Sequence, residues 1–188
     1  MKITIALTML ALCGTAFAGQ APQTDEQHAA LYRGESLNYV ILPPDHFSMV
    51  DREATADGYS FAFIPSGQAY DSAEVTIGIN IYKIRGLVFN DVIVRDTVAL
   101  RKHYGKNVSI WSVDSVYSAS GQPAHTFFIN DTTRFIPNVM ISYLDGRTEM
   151  LVLELVISER AARVKAEDAF MQCLTRMKAL PIGQIGQK

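Results

Sequence analysis

The 188-residue sequence contains few residues of the kinds that support catalysis or metal binding. It has two cysteines, Cys13 and Cys173, and a single tryptophan, Trp111. No two of its four histidines stand at a metal-ligand spacing, and the motifs C-x-x-C, G-x-S-x-G and G-x-x-x-x-G-K do not occur. A zinc site, a serine nucleophile and a phosphate-binding loop therefore have no sequence signature. We predict a protein that is not an enzyme and that needs no cofactor or metal.

The chain also lacks an excess of charge of either sign. Its 17 basic and 19 acidic residues give a net charge of −2, and like charges do not cluster into blocks. A protein that binds nucleic acid or an anionic membrane surface through charge usually carries a basic face. The charge balance therefore argues against nucleic acid as a partner.

The most apolar run lies at the N-terminus and has the three parts of a secretory signal peptide. Lys2 supplies the basic start, Ile5–Cys13 the apolar core, and Ala16-Phe17-Ala18 the small-residue cleavage site. This core is too short to cross a bilayer, which needs about 20 residues, and no other stretch approaches that length. We expect residues 1–18 to be removed, and the mature protein to be periplasmic or secreted without an integral membrane segment.

An alternative is a lipidated N-terminus, because Cys13 follows Leu10 by three residues. Bacterial lipidation sites carry a small residue just before the cysteine, whereas this chain has Leu12. We therefore interpret Cys13 as part of the signal core. Its removal leaves Cys173 as the one thiol, so no internal disulfide can form and the fold must depend on its hydrophobic core. The roughly 170 remaining residues suffice for one domain.

Composition divides the mature chain into a leader, one domain and a tail. Residues 19–36 are polar, with weak helical character over Glu26–Tyr32, and are predicted to form a flexible leader. Residues 37–180 carry the periodic apolar segments of a single domain. Pro181 breaks the last helix, so residues 181–188 are expected to form a frayed tail.

The clearest structural pattern is a β-hairpin near the C-terminus. The strand-like run Val139–Leu144 is followed by Asp145-Gly146, a two-residue turn signal, and by Met150–Ile157, which is apolar except at Glu154. A strand as apolar as Met150–Ile157 is typically buried on both faces, so we expect helices on both sides of its sheet. A helix follows with the apolar stripe Ala162, Ala166, Ala169, Phe170, Cys173, Leu174 and Met177. We expect Cys173 to be a buried, unreactive thiol.

The rest of the chain supplies more strands and one more helix. Asp51–Gly58 is interpreted as a loop or one helical turn. Gly105 directly follows a predicted helix that ends at Tyr104, at the position of its C-cap. The predicted elements are strands over Leu37–Leu42, Tyr59–Ile64, Val75–Ile84, Val108–Tyr117 and Ala124–Ile129, and a helix from Asn90 to Tyr104. Strands punctuated by two helices, without βαβ alternation, indicate an α+β fold.

Two segments resemble conserved pieces of the PsbP-like family of exported proteins, which includes the DcrB-type periplasmic lipoproteins. Leu42-Pro43-Pro44-Asp45-His46-Phe47 is similar to that family's opening strand and turn, although His46 replaces a small residue or tryptophan. Phe61-Ala62-Phe63-Ile64-Pro65-Ser66-Gly67 is similar to its second strand. The resemblance implies an α/β/α sandwich with a central antiparallel sheet flanked by helices. It also implies a protein that acts by binding partners, and it transfers no functional residues.

Five residues are candidates for contact with a protein partner. Trp111 lies on a strand whose inner face the alternation leaves open, and protein interfaces are enriched in tryptophan and tyrosine. Tyr70 and Asp71 lie in one predicted loop, and Arg134 and Phe135 lie in another. Loops on a rigid scaffold commonly carry binding residues.

Glu154 interrupts an otherwise apolar strand, and burial of an unpaired charge costs several kcal/mol. We expect it near a margin of the sheet, paired with an arginine or with a backbone donor. The alternative is a carboxyl group with a shifted pKa in a cleft.

Taken together, these features predict an exported, non-catalytic protein-binding module of the cell envelope whose partner is an unidentified envelope protein. One alternative is a periplasmic carrier that holds a small molecule or lipid between sheet and helix. Another is an immunity protein against a periplasmic toxin. An exposed aromatic patch would favour a protein partner, whereas a closed apolar cavity would favour a ligand.

Overall fold

The computed structural model describes residues 29–84, 86–158 and 163–182. The predicted signal peptide and the end of the predicted tail lie outside the described residues. The elements are β1 (Ala30–Arg33), β2 (Leu37–Ile41), β3 (Phe47–Val50), α1 (Arg52–Ala56), β4 (Phe61–Pro65), a 3-10 turn (Tyr70–Ser72), β5 (Val75–Lys83), α2 (Phe89–Tyr104), β6 (Ser109–Tyr117), β7 (Pro123–Asn130), β8 (Asn138–Asp145), β9 (Glu149–Ile157), α3 (Arg163–Arg176) and β10 (Lys178–Pro181).

Seven strands form one antiparallel sheet in the order β3-β4-β5-β9-β8-β7-β6. The predicted C-terminal hairpin is β8–β9, and β9 is the middle strand of the sheet. Its other neighbour is β5, which pairs with it from Val75 opposite Ile157 to Lys83 opposite Glu149. The most apolar strand thus has a partner on each side, so its backbone groups are hydrogen-bonded although it is buried.

The two faces of β9 contribute to two separate hydrophobic clusters, as its sequence predicts. Leu151, Leu153 and Leu155 belong to a cluster that contains residues of α3. Met150 and Val152, on the opposite face, pack in a second cluster with Ile93 of α2 and its partly buried neighbours. Helices therefore flank both faces of the sheet, and the predicted α+β sandwich is confirmed.

The predicted apolar stripe is buried, apart from Ala162, which lies outside the described residues, and its last member, Met177, follows the end of α3. Phe170, Cys173 and Leu174 are fully buried. Burial raises the pKa of the Cys173 thiol to about 12, because the apolar surroundings disfavour the thiolate. The prediction of a buried thiol is confirmed, and its high pKa makes it a poor nucleophile.

The chain also forms a second, three-stranded sheet of order β1-β2-β10, which the sequence analysis did not predict. The two segments that were predicted differently lie at the two ends of the domain. Residues 30–33 were expected within a flexible, weakly helical leader, but they form β1, which pairs with β2 and buries Ala30. The last helix was expected to continue beyond Met177, yet α3 ends at Arg176 and the chain adds β10 to the other edge of β2. Pairing with β2 overrides the local propensities of both segments, of which β10 is distant from β2 in sequence and β1 is adjacent to it.

Two further local details differ from the sequence predictions. The turn between β8 and β9 has three residues, and its positive φ of 73° falls on Arg147, not on Gly146. The backbone N–H of Arg147 donates to the Asp145 carboxylate at 2.7 Å, which stabilises this geometry. The four-residue edge strand β3 was not predicted. Of the two readings of Asp51–Gly58, the short helix α1 is the one observed.

The packing of α3 predicts a large effect of Phe170→Ala. Since Phe170 is fully buried in the core cluster, its truncation should leave a cavity and destabilise the protein by about 3–5 kcal/mol. Val164, on the same helix, is 72% exposed, so Val164→Ala should change stability by no more than about 0.5 kcal/mol. Urea denaturation of both variants measures the difference, and equal effects would contradict this account of the core.

Candidate functional site

The structure places all five predicted contact residues toward one end of the seven-stranded sheet, which we call the loop end. β5 and β8 begin there and β7 and β9 end there, because neighbouring strands are antiparallel. Tyr70 and Asp71 precede β5, Arg134 and Phe135 lie between β7 and β8, and Trp111 is the third residue of β6. From β5 to β6 the loop end spans four strand spacings, about 19 Å. It is therefore broad enough to form one contact surface.

Trp111 is the largest exposed aromatic side chain of the loop end. It is 46% exposed, and its ring stacks on that of Phe128 with centroids 5.9 Å apart. Phe128 lies directly opposite on β7 and packs against the α3-side cluster, so both rings occupy that face of the sheet. Trp111 is thus held by a neighbour while much of its surface remains in solvent. The sequence did not indicate whether the Trp111 side chain points into the core or into solvent, and in the structure it is largely exposed to solvent.

Trp111 also lies on an edge strand. Along its outer side β6 pairs with no described strand, and its register with β7 shifts between Val113 and Val116. An exposed edge strand offers backbone donors and acceptors to a partner, whereas a bulge limits how far such pairing can extend. The part of β6 that precedes the shift is the part that carries Trp111.

The loop between β7 and β8 is fixed by Asp131. Its carboxylate accepts hydrogen bonds from the Thr133 hydroxyl at 2.6 Å and the Thr133 backbone N–H at 2.8 Å, and these bonds lower its pKa. Arg134 approaches the same carboxylate, with Nε 3.0 Å from Oδ2. The guanidinium group of Arg134 is therefore already engaged in an ion pair. Phe135, beside it, is 42% exposed and is the apolar residue that this loop presents.

Tyr70 and Asp71 lie in the 3-10 turn at the other side of the loop end. The Tyr70 hydroxyl donates to the Asp57 carboxylate, and burial together with this bond raises the Tyr70 pKa to about 12. Both residues line an open cavity of about 410 Å³ that also contacts Tyr59 and Asn138. Tyr70 is half-buried and Asp71 is exposed. This loop contributes mainly polar groups to the surface.

Glu154 does not lie where the sequence predicted. It is on the middle strand β9, not at a margin, and its partner is a tyrosine instead of an arginine: the Tyr59 hydroxyl donates to Oε2 at 3.1 Å. Burial raises the pKa of the Glu154 carboxyl, the Tyr59 bond lowers it, and the nearby Asp96 charge raises it. The alternative expectation, a carboxyl group with a shifted pKa beside a cleft, describes this residue better.

A glycine makes the contact between Tyr59 and Glu154 possible. Gly78 on β5 lies directly opposite Glu154, and a Cβ at this position would stand 2.3 Å from the Tyr59 ring. The ring therefore passes over Gly78 to reach the carboxylate. The sequence signal that could have revealed this site is a glycine within an isoleucine-rich strand, which often marks close approach of another group.

Across residues 29–84, 86–158 and 163–182, no group of three or more His, Cys, Asp or Glu side chains is arranged to hold a metal ion. None of the helices in these ranges combines the length and the apolar character needed to cross a membrane.

Comparison with solved structures identifies the fold. The chain is similar to the solution structure of cyanobacterial PsbP (CyanoP) from Synechocystis sp. PCC 6803, with a TM-score of 0.50 and 12% sequence identity. The match covers 86% of this chain and 98% of that chain. No protein-family model and no curated protein matches the sequence. The fold is therefore PsbP-like, with a large antiparallel sheet and few helices.

The environment of Glu154 predicts a specific dependence of stability on pH. Its pKa in the folded protein lies above the ordinary value of 4.5, so the folded state binds the proton more tightly than the unfolded state. Ionisation as pH rises from about 4.5 through the raised pKa should therefore destabilise the wild type relative to Glu154→Gln, which stays neutral. Urea denaturation of both proteins at pH 4 and pH 7 should show Glu154→Gln gaining relative stability at pH 7.

Glu53→Gln is the control for this measurement, because Glu53 is an exposed carboxylate in the first turn of α1. A change in relative stability of Glu53→Gln between the two pH values as large as that of Glu154→Gln would show that the effect is not specific to Glu154. If Glu154→Gln lost stability relative to the wild type between pH 4 and pH 7, the raised pKa would be contradicted.

Proposed function

We propose that the protein is a non-catalytic binding module of the bacterial cell envelope that contacts a protein partner through its loop end. The observation that carries this proposal is the exposure of Trp111 on the outer strand of the sheet, 46% accessible and stacked on Phe128. Tryptophan is enriched among the residues that dominate binding energy at protein interfaces. A large apolar ring held in place loses little conformational entropy when a partner covers it.

The composition of the loop end supports a protein partner. Exposed apolar surface is supplied by Trp111 and Phe135, and polar groups by Asp71 and the ion pair of Arg134 with Asp131. Protein interfaces commonly combine exposed apolar residues with polar groups in this way. The PsbP-like fold is compatible with this role, but the fold alone assigns no function.

The location follows from the N-terminus of the sequence. Residues 1–18 have the basic start, apolar core and Ala-Phe-Ala ending of a signal peptide, so we place the mature protein in the periplasm or outside the cell. Its partner is accordingly an envelope protein. The low content of sites for metal, phosphate or covalent catalysis in the sequence supports a binding role over an enzymatic one.

Trp111→Ala should abolish most of the partner binding while leaving the fold intact. Truncation of a tryptophan at the centre of an interface typically costs about 2–4 kcal/mol, a loss of about 30-fold or more in affinity. The measurement is capture of the tagged mature protein from its native envelope after mild crosslinking, followed by native mass spectrometry. The wild type should carry a stoichiometric protein companion, and the variant should carry little or none.

Tyr117→Ala provides a matched control. Tyr117 is 53% exposed on the same edge strand, but it lies at the far end from the loop end, beyond the shift in register. This variant should retain the companion. A wild type that carries no protein companion, or a companion that Trp111→Ala retains in full, would overturn the proposal.

A further inference from the structure

An open groove of about 450 Å³ lies between α2 and the strands β5 and β9, on the sheet face opposite to Trp111. One wall is apolar and is formed by Leu87 and Val92 with Met150 and Val152. The groove volume falls in the range of about 300–1,000 Å³ that small-molecule sites usually have. An apolar wall of this kind can hold the hydrocarbon part of a ligand.

Two carboxylates, Asp96 of α2 and Glu154 of β9, line the same groove. Each accepts a hydrogen bond from a tyrosine hydroxyl: Tyr143 donates to Asp96, and Tyr59 donates to Glu154. Tyr143 is almost completely buried, so the position of Asp96 is fixed by the core beneath it. Both carboxylates are therefore held at the groove by side chains of the sheet.

Among the described residues, no Lys, Arg or His forms an ion pair with the Asp96 or the Glu154 carboxylate. Lys83 also lines the groove, but its ammonium group is 2.8 Å from Glu35. Arg95 lines the groove as well, and its side chain is exposed to water. Carboxylates partly withdrawn from water without a cation are costly, and a bound cation would compensate them.

We propose that this groove is a binding site for a small amphipathic amine, whose ammonium group pairs with Asp96 and Glu154 while its alkyl part covers the apolar wall. The charge of the two carboxylates selects a cation, and the wall beside them selects an apolar chain attached to it. Tyr82, which is 47% exposed and lines the groove, adds an aromatic ring of the kind that attracts cations. An anionic ligand of the same length would not form these ion pairs with Asp96 and Glu154.

A hydrated divalent cation fits the groove less well. Calcium takes 6–8 oxygen ligands, more than Asp96 and Glu154 supply, and magnesium, which one or two carboxylates can hold, keeps several waters and would not contact the apolar wall. The apolar wall would then have no role. This site lies on the opposite face from Trp111, so the amine proposal does not depend on the protein-binding proposal.

The test uses n-hexylammonium as the probe, with hexanoate and 1-hexanol as controls of equal chain length. Isothermal titration calorimetry of the full mature protein should show saturable binding of n-hexylammonium and at least tenfold weaker binding of both controls. Asp96→Asn and Glu154→Gln should each weaken n-hexylammonium binding by tenfold or more. Both substitutions keep an oxygen acceptor for the tyrosine hydroxyl, so the fold should persist, and circular dichroism checks that it does.

Two further variants test whether a loss of n-hexylammonium binding is specific to the groove, and not a result of unfolding or of a change at the loop end. Glu53→Gln, which removes a carboxylate outside the groove, and Trp111→Ala should both bind n-hexylammonium as the wild type does. The proposal is overturned if n-hexylammonium does not saturate the wild type or if the controls bind equally well. Binding that is unchanged in both folded groove variants would also overturn it.

Discussion

The structure depends on the burial of β9 on both of its faces. This strand lies in the middle of the sheet, its leucines face the α3 side, and Met150 and Val152 face the α2 side. Because burial leaves its backbone without water, β5 and β8 must pair along its length. Two helices are then needed to cover the faces, so the order of the layers follows from the composition of one strand.

Glu154 is the charged interruption in the run Met150–Ile157, and the structure accommodates it at some distance from the sheet edges. The absence of a side chain at Gly78 lets the Tyr59 ring reach across β5 and donate to the carboxylate. A glutamine could accept the same bond without a charge. The bond to Tyr59 therefore does not require the charge of Glu154, which the proposed ammonium ligand would pair with.

The two proposed binding surfaces follow from the arrangement of loops and helices at the end and on the α2 face of this sheet. Antiparallel pairing brings the loops before β5 and between β7 and β8 to one end, beside the first residues of β6. The α2 face instead presents a groove, since the helix leaves Glu154 and Tyr82 in contact with open space. The two surfaces are separate, and each is supported by strands whose positions the core fixes.

The sequence predicted those parts of the fold whose signals are local. The apolar run of β9, the periodic stripe of α3 and the glycine that ends α2 each depend on neighbours a few residues away. The strands β1, β3 and β10 were missed, because each has four residues and is stabilised by pairing with another strand and not by its own pattern. A short segment gives little periodicity to detect.

The candidate site was predictable only in part, for the same reason. Loop positions such as Tyr70 and Phe135 followed from turn residues, and antiparallel topology then placed them together. The outward direction of Trp111 was open because β6 carries small polar residues on both faces. The partner of Glu154, the Tyr59 hydroxyl, is 95 residues away in sequence, and no local pattern connects the two.

The most direct test of the central claim is site-specific photocrosslinking in the native envelope, with Trp111 kept and a photoreactive amino acid in place of Ser109 or Tyr117, which are exposed at the two ends of β6. If the loop end contacts a protein partner, the probe at position 109 should give a discrete crosslinked product with one envelope protein, and the probe at position 117 should not. Equal crosslinking from both positions, or from position 117 alone, would contradict the assignment of the contact surface to the loop end.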